Sequence, residues 1–186
     1  MHYHNFAEFA IDKTFQFIEP GPVLLLATQY KQKTNVMTLS WSTLFDFTPQ
    51  IGCVLSPGDY TFEMLKAAKE CVLGIPAVDI MEKTVQIGNC SGKDADKFKI
   101  FNLTPLPAKI VKAPLIKECL VNIECKVTDT SLADRYGLFV MDGVKTWFDE
   151  NRIEKRTFHA NGDGTFVIDG ETKNLKHLMT KWQIFI

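Results

Sequence analysis

The sequence lacks the patterns that mark several large classes of protein. Its 21 Lys and Arg are balanced by 22 Asp and Glu, so no basic excess is present and nucleic acid is not an expected partner. Its apolar runs, such as residues 23–27, are far too short to span a bilayer, so no membrane partner is expected. The first ten residues lack the basic start and apolar core of a secretory signal. Together these absences predict a cytoplasmic protein.

Cysteines at metal-binding spacing are also missing. The chain has five cysteines, an odd number, and none forms a C-x-x-C pair. This argues against a zinc site and a redox dithiol motif and favours free thiols in a reducing compartment. We therefore predict no metal site. Cys90 differs from the others because it lies in a polar motif described below, although a small buried side chain is the simpler interpretation.

Nucleotide-binding glycine patterns are absent too, both that of the dinucleotide-binding βαβ unit and the Walker-type phosphate loop. What is present is a chain of 186 residues, 46% of them hydrophobic, without internal repeats or breaks in composition. This size and composition predict one domain over residues 1–186 with a sizeable core.

Strand signals dominate, interrupted by short helical patterns. The predicted strands are residues 23–27, 34–42, 51–55, 71–75, 118–130 and 137–148. The predicted helices are residues 61–69 with Thr61 as N-cap, residues 78–88, and a turn at 95–100 with Asp94 as cap. Asn-Gly and Asp-Gly within residues 161–164 predict a turn between two short segments. We expect a mainly β fold, a closed antiparallel sheet with helices packed outside.

Three polar motifs stand out against this framework. In T-N-V-M-T-L-S-W at residues 34–41, Thr38 and Ser40 share one strand face, which suits a ligand with a flat ring and a polar edge. S-P-G-D-Y-T at residues 56–61 precedes a helix, where free N–H groups favour an anion such as phosphate. N-C-S-G-K-D-A-D-K-F at residues 89–98 supplies a glycine, a hydroxyl and two lysines. Taken singly, each has an ordinary structural interpretation: a solvated strand face, a turn with its cap, or a charged surface loop.

Together and in this order, the motifs resemble the flavin reductase-like family with the FMN-binding split-barrel fold, and most closely its flavoredoxin branch. A-P-L-I-K-E-C at residues 113–119 and G-D-G-T-F at residues 162–166 also match. The resemblance implies a six-stranded antiparallel Greek-key barrel with peripheral helices. It also implies a homodimer with one FMN per subunit near the dimer interface.

The resemblance further implies roles for individual residues. It assigns the isoalloxazine ring and ribityl chain to Asn35, Thr38, Ser40 and Trp41, and the phosphate to Ser56, Tyr60 and Thr61. It places Asn89, Ser91, Gly92 and Lys97 in the motif at the flavin's edge. There the cation of Lys97 would act in the chemistry by stabilising the negative charge of the reduced flavin. Because Lys97 lies in a polar stretch, we expect an exposed side chain whose loss costs little stability.

One departure from the family pattern separates two functional hypotheses. Relatives commonly have Gly-Asp-His before an apolar strand, whereas this chain has Asp134-Arg135-Tyr136-Gly137. The missing histidine, which the family associates with nicotinamide or flavin handling, favours an electron carrier with a redox protein partner over an NAD(P)H-dependent flavin reductase. His159 is a possible substitute through the C-terminal turn, although a surface histidine is the simpler interpretation. A barrel that binds a ligand without redox chemistry is the alternative of another class.

Overall fold

The computed structural model describes residues 5–18 and 21–181. The strands, in chain order, are β1 (Ala7–Phe9), β2 (Leu24–Tyr30), β3 (Lys33–Leu39), β4 (Ser42–Asp46), β5 (Gln50–Val54), β6 (Glu70–Ile75), β7 (Pro105–Leu106), β8 (Leu115–Ile116), β9 (Val121–Asp129), β10 (Leu138–Phe148), β11 (Phe158–Ala160) and β12 (Phe166–Ile168). The α-helices are α1 (Phe15–Ile18), α2 (Tyr60–Ala68), α3 (Met81–Ile87), α4 (Lys97–Ile100) and α5 (Ala133–Tyr136). Short 3-10 turns lie at Ile11–Lys13, Val78–Ile80 and Lys176–Leu178.

Eight of these strands form one antiparallel sheet. Its order is β3-β2-β6-β9-β10-β5-β4, with β1 paired to β10 beside this path. Within the described residues the end strands β3 and β4 are not hydrogen-bonded to each other, so the sheet is open. The predicted mainly β, antiparallel fold is confirmed. The sheet is open where the strand pattern predicted a closed one, and it has eight strands where the resemblance implied six. One added strand, β1, is only three residues long, too short for a periodic signal.

Another strand arises because the predicted strand at residues 34–42 is two strands in the structure. It breaks after Leu39, and β4 begins at Ser42 and pairs with Cys53 of β5. Ser40 and Trp41 lie at the break, where the carbonyl of Trp41 still accepts the N–H of Val54 at 3.0 Å. Sequence alternation does not reveal such a break, because both halves have the same extended pattern.

The sheet separates two clusters of buried apolar side chains, and β2 contributes to both. Leu24 and Leu26 pack into the cluster inside the barrel, whereas Leu25 and Ala27 pack into the cluster on the opposite face. Successive side chains of a strand point to opposite faces, so a strand covered on both sides needs a continuous apolar run. This explains why residues 23–27 form an unbroken apolar run.

The three predicted helices lie where the sequence predicts them, although two caps differ, and the single-turn helices α1 and α5 were not predicted. Helix α2 begins at Tyr60 after Asp59 in an extended conformation (φ −76°, ψ 136°), so Thr61 lies inside the first turn instead of capping it. Helix α4 is capped by Asp96, whose carboxylate accepts a first-turn N–H, and not by Asp94. No helix among the described residues is both long enough and apolar enough to cross a membrane.

A buried carboxylate fixes the irregular segment that covers the second cluster. Glu124 is fully buried in β9 and accepts the backbone N–H groups of Lys109, Ile110 and Val111 at 3.0, 2.6 and 3.0 Å. The indole N–H of Trp147 donates to the same carboxylate at 2.8 Å. One side chain thus accepts four hydrogen bonds, three of them from a segment outside the large sheet.

Candidate functional site

A cleft of about 330 Å³ lies where β3 meets the start of α2 and the loop between α3 and α4. Three segments line it: Asn35, Met37 and Thr38; Gly58, Asp59, Tyr60 and Thr61; Gly88, Asn89, Cys90, Ser91, Gly92 and Lys97. The three segments coincide with the three polar motifs, which lie far apart in the sequence. Sheet pairing and helix packing bring the motifs together at one site.

The first turn of α2 supplies hydrogen-bond donors to the cleft. The first N–H groups of a helix have no intrahelical acceptor, and the helix dipole places partial positive charge there. Asp59 does not occupy these donors, because its carboxylate turns back and accepts the N–H of Ser56 at 3.2 Å. The donors of Tyr60 and Thr61 are therefore available to an anionic group.

Asn35 supplies the most informative polar atom of the cleft. Its side chain is 2% exposed, and its Nδ2 donates to the hydroxyl of Thr61 at 2.7 Å. Its Oδ1 is buried and has no hydrogen-bond partner. Oδ1 faces Gly92, where an added Cβ would lie only 1.8 Å away. A buried acceptor without a partner costs roughly 1–3 kcal/mol, so this atom marks a place for a donor group of a ligand.

Two other polar side chains of the cleft use their donors on helix α3. The hydroxyl of Thr38 donates to the carbonyl of Thr84 at 2.5 Å, and the Nδ2 of Asn89 donates to the carbonyl of Val85 at 2.8 Å. The remaining lone pairs of Thr38 and the Oδ1 of Asn89 are acceptors. This part of the cleft therefore favours a ligand that brings its own N–H or O–H groups.

Lys97 closes the base of the loop between α3 and α4. Its side chain is 5% exposed, and its Nζ donates to the carbonyl of Ile87, the last residue of α3, at 2.9 Å. The expectation of an exposed side chain is therefore wrong, because the aliphatic stem packs beneath a polar loop. Burial lowers the pKa of Lys97, and electrostatic interactions with the neighbouring Cys90 and Asp59 side chains oppose that change.

The structure places eight of the eleven residues predicted to bind the cofactor in this cleft: Asn35, Thr38, Tyr60, Thr61, Asn89, Ser91, Gly92 and Lys97. Three others do not line it: Ser40, Trp41 and Ser56. Trp41 lies at the break between β3 and β4 and is 70% exposed. Ser56 contacts the cleft indirectly, through its N–H bond to Asp59.

Five lining residues were not predicted: Met37, Gly58, Asp59, Gly88 and Cys90. Four of them lie inside the three motifs, so the motif boundaries contained the signal. The fifth, Gly88, lies one residue before a motif and packs against Thr38, with a hypothetical Cβ at 3.3 Å from the threonine Cβ. Sequence spacing alone did not reveal this close packing.

His159 does not substitute for the missing histidine, because it is not among the residues that line the cleft. Its Nε2 lies 2.7 Å from Asp169 Oδ1, and its Nδ1 lies 3.1 Å from the carbonyl of Gly21. These contacts join the β11–β12 hairpin to the segment that leads into β2. The simpler interpretation of His159 as a surface residue fits its 29% exposed side chain.

Comparison with known proteins places this architecture in a family. The chain matches the model described as the flavin reductase like domain over residues 18–165. It is 31% identical over 141 residues to a protein of Pyrococcus abyssi, covering 75% of this chain and 81% of that protein. It is also 34% identical over 110 residues to a protein of Archaeoglobus fulgidus, covering 59% of this chain and 62% of that protein. The chain thus spans less than two thirds of the length of the latter.

Solved structures show the same fold. An FMN-binding domain of a flavin reductase-like enzyme from Shewanella baltica superposes with a TM-score of 0.84 at 23% identity, covering 91% of this chain and 96% of that one. The flavoredoxin of Desulfovibrio vulgaris (Miyazaki F) has a TM-score of 0.75 at 22% identity, covering 83% and 89%. With three motifs gathered in one cleft and a family match over most of its length, the chain belongs to the flavin reductase-like family of split-barrel proteins.

Proposed function

We propose that the chain binds FMN non-covalently in the cleft and works as an electron carrier, exchanging electrons with a redox partner through that cofactor. The observation that supports this most is the buried, unpaired Oδ1 of Asn35, which lines the cleft. The Shewanella baltica and Desulfovibrio vulgaris proteins support the choice of cofactor by fold and by family.

The residues of the cleft suit the polar groups of FMN. The phosphate is an anion and only accepts hydrogen bonds, which suits the donors of Tyr60 and Thr61 at the start of α2. The ribityl hydroxyls and the ring N–H are donors, which suit Asn35 and Thr38. The volume of about 330 Å³ lies at the lower end of the range for small-molecule sites, roughly 300–1,000 Å³.

Bound FMN supplies the capacity to accept and release electrons, and the chain supplies binding, orientation and charge. Lys97 contributes a positive charge at the wall of the cleft. Such a charge favours the reduced, negatively charged form of a flavin over the oxidised form. Asn35 and Thr61 hold each other in place, so their remaining hydrogen-bonding atoms meet the ligand without reorganisation.

The departure at residues 134–137 favours the carrier over a flavin reductase. These residues form helix α5 and the left-handed turn at Gly137 (φ +71°), and they do not line the cleft. No imidazole is therefore supplied to the cleft from this turn. Anaerobic mixing of the FMN-loaded protein with NADH or NADPH separates the two hypotheses. If the protein is a carrier, the absorbance of its oxidised flavin should stay unchanged after mixing. If it is a reductase, NADH or NADPH should reduce the flavin and that absorbance should be lost.

We also propose that the protein is a homodimer, as its family resemblance implies. The exposed aromatic side chains of Trp41 and Phe45, at 70% and 51% exposure beside the terminal strand β4, supply apolar surface for the contact. Sedimentation at micromolar concentration tests this. A mass near 21.1 kDa would show a monomer and contradict the proposal.

The experiment that tests the cofactor uses the protein as purified. We expect a yellow protein with a flavin absorbance spectrum that releases FMN, and not FAD, on denaturation, as identified by chromatography. A colourless preparation is titrated with FMN while flavin fluorescence is followed. A protein that stays colourless and leaves the fluorescence unchanged would support the non-redox barrel instead.

A further inference from the structure

Cys90 differs from the other cysteines in its access to solvent. Cys53, Cys71, Cys119 and Cys125 are each 0% exposed, whereas Cys90 is partly exposed and lines the cleft. Reagents in solution therefore reach Cys90 before they reach the four buried thiols. The cleft function proposed above assigns no role to this thiol.

Lys97 lies beside Cys90, and both side chains approach the same atom. The thiol of Cys90 donates weakly to the carbonyl oxygen of Ile87 at 3.9 Å, and the Nζ of Lys97 donates to the same oxygen at 2.9 Å. The thiolate is the reactive form of cysteine, so the Cys90 thiol releases its proton from this contact before it reacts. The other titratable groups that line the cleft are Asp59 and Tyr60, at the start of α2.

An independent observation shows that the same cleft is built for an occupant. The Oδ1 of Asn35 is buried, unpaired and turned toward Gly92, two residues after Cys90. A ligand that donates to this oxygen lies in the cleft that Cys90 lines. Because Cys90 lines the same cleft, a group added to its thiol takes up space that a ligand would otherwise use.

We propose that Cys90 is a redox modification site, and that its oxidation by hydrogen peroxide and the binding of flavin in the cleft exclude each other. The second half of this inference rests on the proposed function. In the reaction, the Cys90 thiolate sulfur attacks one oxygen of the peroxide. An S–O bond forms, the O–O bond breaks, and the departing hydroxide takes up a proton to give water. Sulfur loses two electrons, the peroxide gains them, and the product is a sulfenic acid.

The first experiment measures the thiol without flavin. Full-length protein stripped of flavin is alkylated with iodoacetamide across a pH series, and labelling is mapped on peptides by mass spectrometry. We expect Cys90 to be labelled while the four buried thiols stay unlabelled. In Lys97→Met, which removes the neighbouring positive charge, the labelling of Cys90 at neutral pH slows about threefold or more. Lys97→Arg keeps the wild-type profile.

Lys93→Met is the matched control, because Lys93 lies in the same loop but is exposed and does not line the cleft. Its labelling profile should equal that of the wild type. Labelling of the four buried thiols reports unfolding in any variant. If Lys97→Met unfolds, Lys97→Gln replaces it. A folded Lys97 variant without the positive charge but with the wild-type profile would overturn the role of Lys97.

The second experiment tests whether oxidation of the Cys90 thiol changes FMN binding. Wild type and Cys90→Ala are treated with hydrogen peroxide, sulfenic acid is trapped with dimedone, and FMN binding is followed by fluorescence. We expect the FMN affinity of the wild type to fall about tenfold or more and to recover with dithiothreitol. The affinity of Cys90→Ala should not respond to peroxide. FMN-saturated wild type should resist both dimedone and iodoacetamide.

Equal labelling of Cys90 with and without bound FMN would overturn mutual exclusion. Untreated protein that binds no FMN would instead contradict the proposed function, and the first experiment would still report the reactivity of the thiol. The two failures are thereby distinguished.

Discussion

Two long irregular segments of this chain are held in opposite ways. The segment over the second cluster, residues 101–120, is fixed by side chains of the sheet: Glu124 accepts three of its N–H groups, and Asn122 both accepts from and donates to the backbone of Ile116. The cleft loop, residues 88–96, has its ends joined by the bond from Lys97 to Ile87. The first segment is thus held by hydrogen bonds with buried side chains of the sheet. The second segment borders a buried side-chain oxygen, Oδ1 of Asn35, that has no hydrogen-bond partner.

This difference indicates where a bound ligand would supply hydrogen bonds that the chain itself does not make. Buried polar groups that are fully satisfied make a segment rigid, and those left unsatisfied are places where a ligand adds the most. The covering segment needs nothing further, whereas the cleft needs a donor for Asn35. The following substitutions test the comparison, from the largest expected effect to the smallest.

Glu124→Leu should break the covering segment. The change leaves the N–H group of Val111 and the indole of Trp147 buried without an acceptor, and it also removes the acceptor of the part-buried N–H groups of Lys109 and Ile110. At roughly 1–3 kcal/mol for each unsatisfied donor, the free energy of unfolding should fall by about 4 kcal/mol or more. Chemical denaturation measures it.

Glu118→Gln is the matched control for this prediction, since Glu118 accepts the Thr104 N–H at an exposed position. It should cost about 1 kcal/mol or less. If Glu124→Leu costs no more than this control, the buried carboxylate does not hold the segment.

Gly92→Ala should weaken ligand binding with a smaller effect on the fold. A Cβ at Gly92 would lie 1.8 Å from Asn35 Oδ1, so the amide must leave its place beside Thr61. Loss of this acceptor should lower FMN affinity roughly tenfold to a hundredfold, equivalent to about 1.4–2.8 kcal/mol. In Gly170→Ala, where no atom lies within 4 Å of an added Cβ and the residue does not line the cleft, the affinity should be unchanged. Equal affinities in the two variants would contradict the role of Asn35.

Lys97→Met should loosen the cleft loop while the covering segment stays protected. The variant keeps an apolar stem but removes the charged donor from the Ile87 carbonyl. A charged hydrogen bond contributes roughly 1.5–3 kcal/mol, and retained packing offsets part of its loss, so a cost of about 1 kcal/mol is expected. Hydrogen exchange should speed up in residues 88–96 and not in residues 101–120. Uniform acceleration across both segments would show that Lys97 supports the whole fold.

The hairpin β11–β12 is a third case, fixed by a carboxylate but near the surface. Burial raises the pKa of Asp169, but hydrogen bonds from Thr157 and His159 outweigh it and bring the pKa below its ordinary value of 3.8. A carboxyl with a lowered folded-state pKa stabilises the fold above its unfolded pKa, and this contribution is lost as pH falls through the folded value.

Because Asp169 is largely accessible, the contribution should be well below about 1 kcal/mol. Unfolding free energies measured on both sides of the ordinary pKa of 3.8 should fall more steeply in wild type than in Asp169→Asn. If the free energy of unfolding depends on pH in the same way in both proteins, Asp169 does not contribute to the pH dependence of stability.

Much of the fold could be read from the sequence because its signals are local. The continuous apolar run in β2 reports burial on both faces. The alternation in β9 identifies the face that joins the first cluster, but it does not reveal that the polar Asn122 and Glu124 on the other face are buried as well. The break after Leu39 has no such signal, because it depends on which partner strand is nearest in space. The three-residue strand β1 is held by its pairing to β10 and not by its own sequence.

The cleft divides in the same way. The motifs contained most of its lining residues, because hydroxyls, amides and glycines cluster at loops and strand ends near ligands. The burial of Lys97 and the approach of Gly92 to Asn35 depend on helices α3 and α4 meeting β3. Those contacts arise from tertiary packing, which no local pattern in a single sequence encodes.

The order of strands in the large sheet also bears on how the protein is made at the ribosome. All residues that line the cleft lie between positions 35 and 97, and strands β3, β2 and β6 are adjacent in the sheet. The hairpin β4–β5 is synthesised between them but borders β10, which emerges at residues 138–148. During translation, the strands that border the cleft are therefore all synthesised early. The β4–β5 hairpin, in contrast, can pair with β10 only after almost the whole sheet has been synthesised. A stalled or truncated product ending before β10 would present the exposed aromatics of β4 without their neighbouring strands, and chaperones recognise such surface.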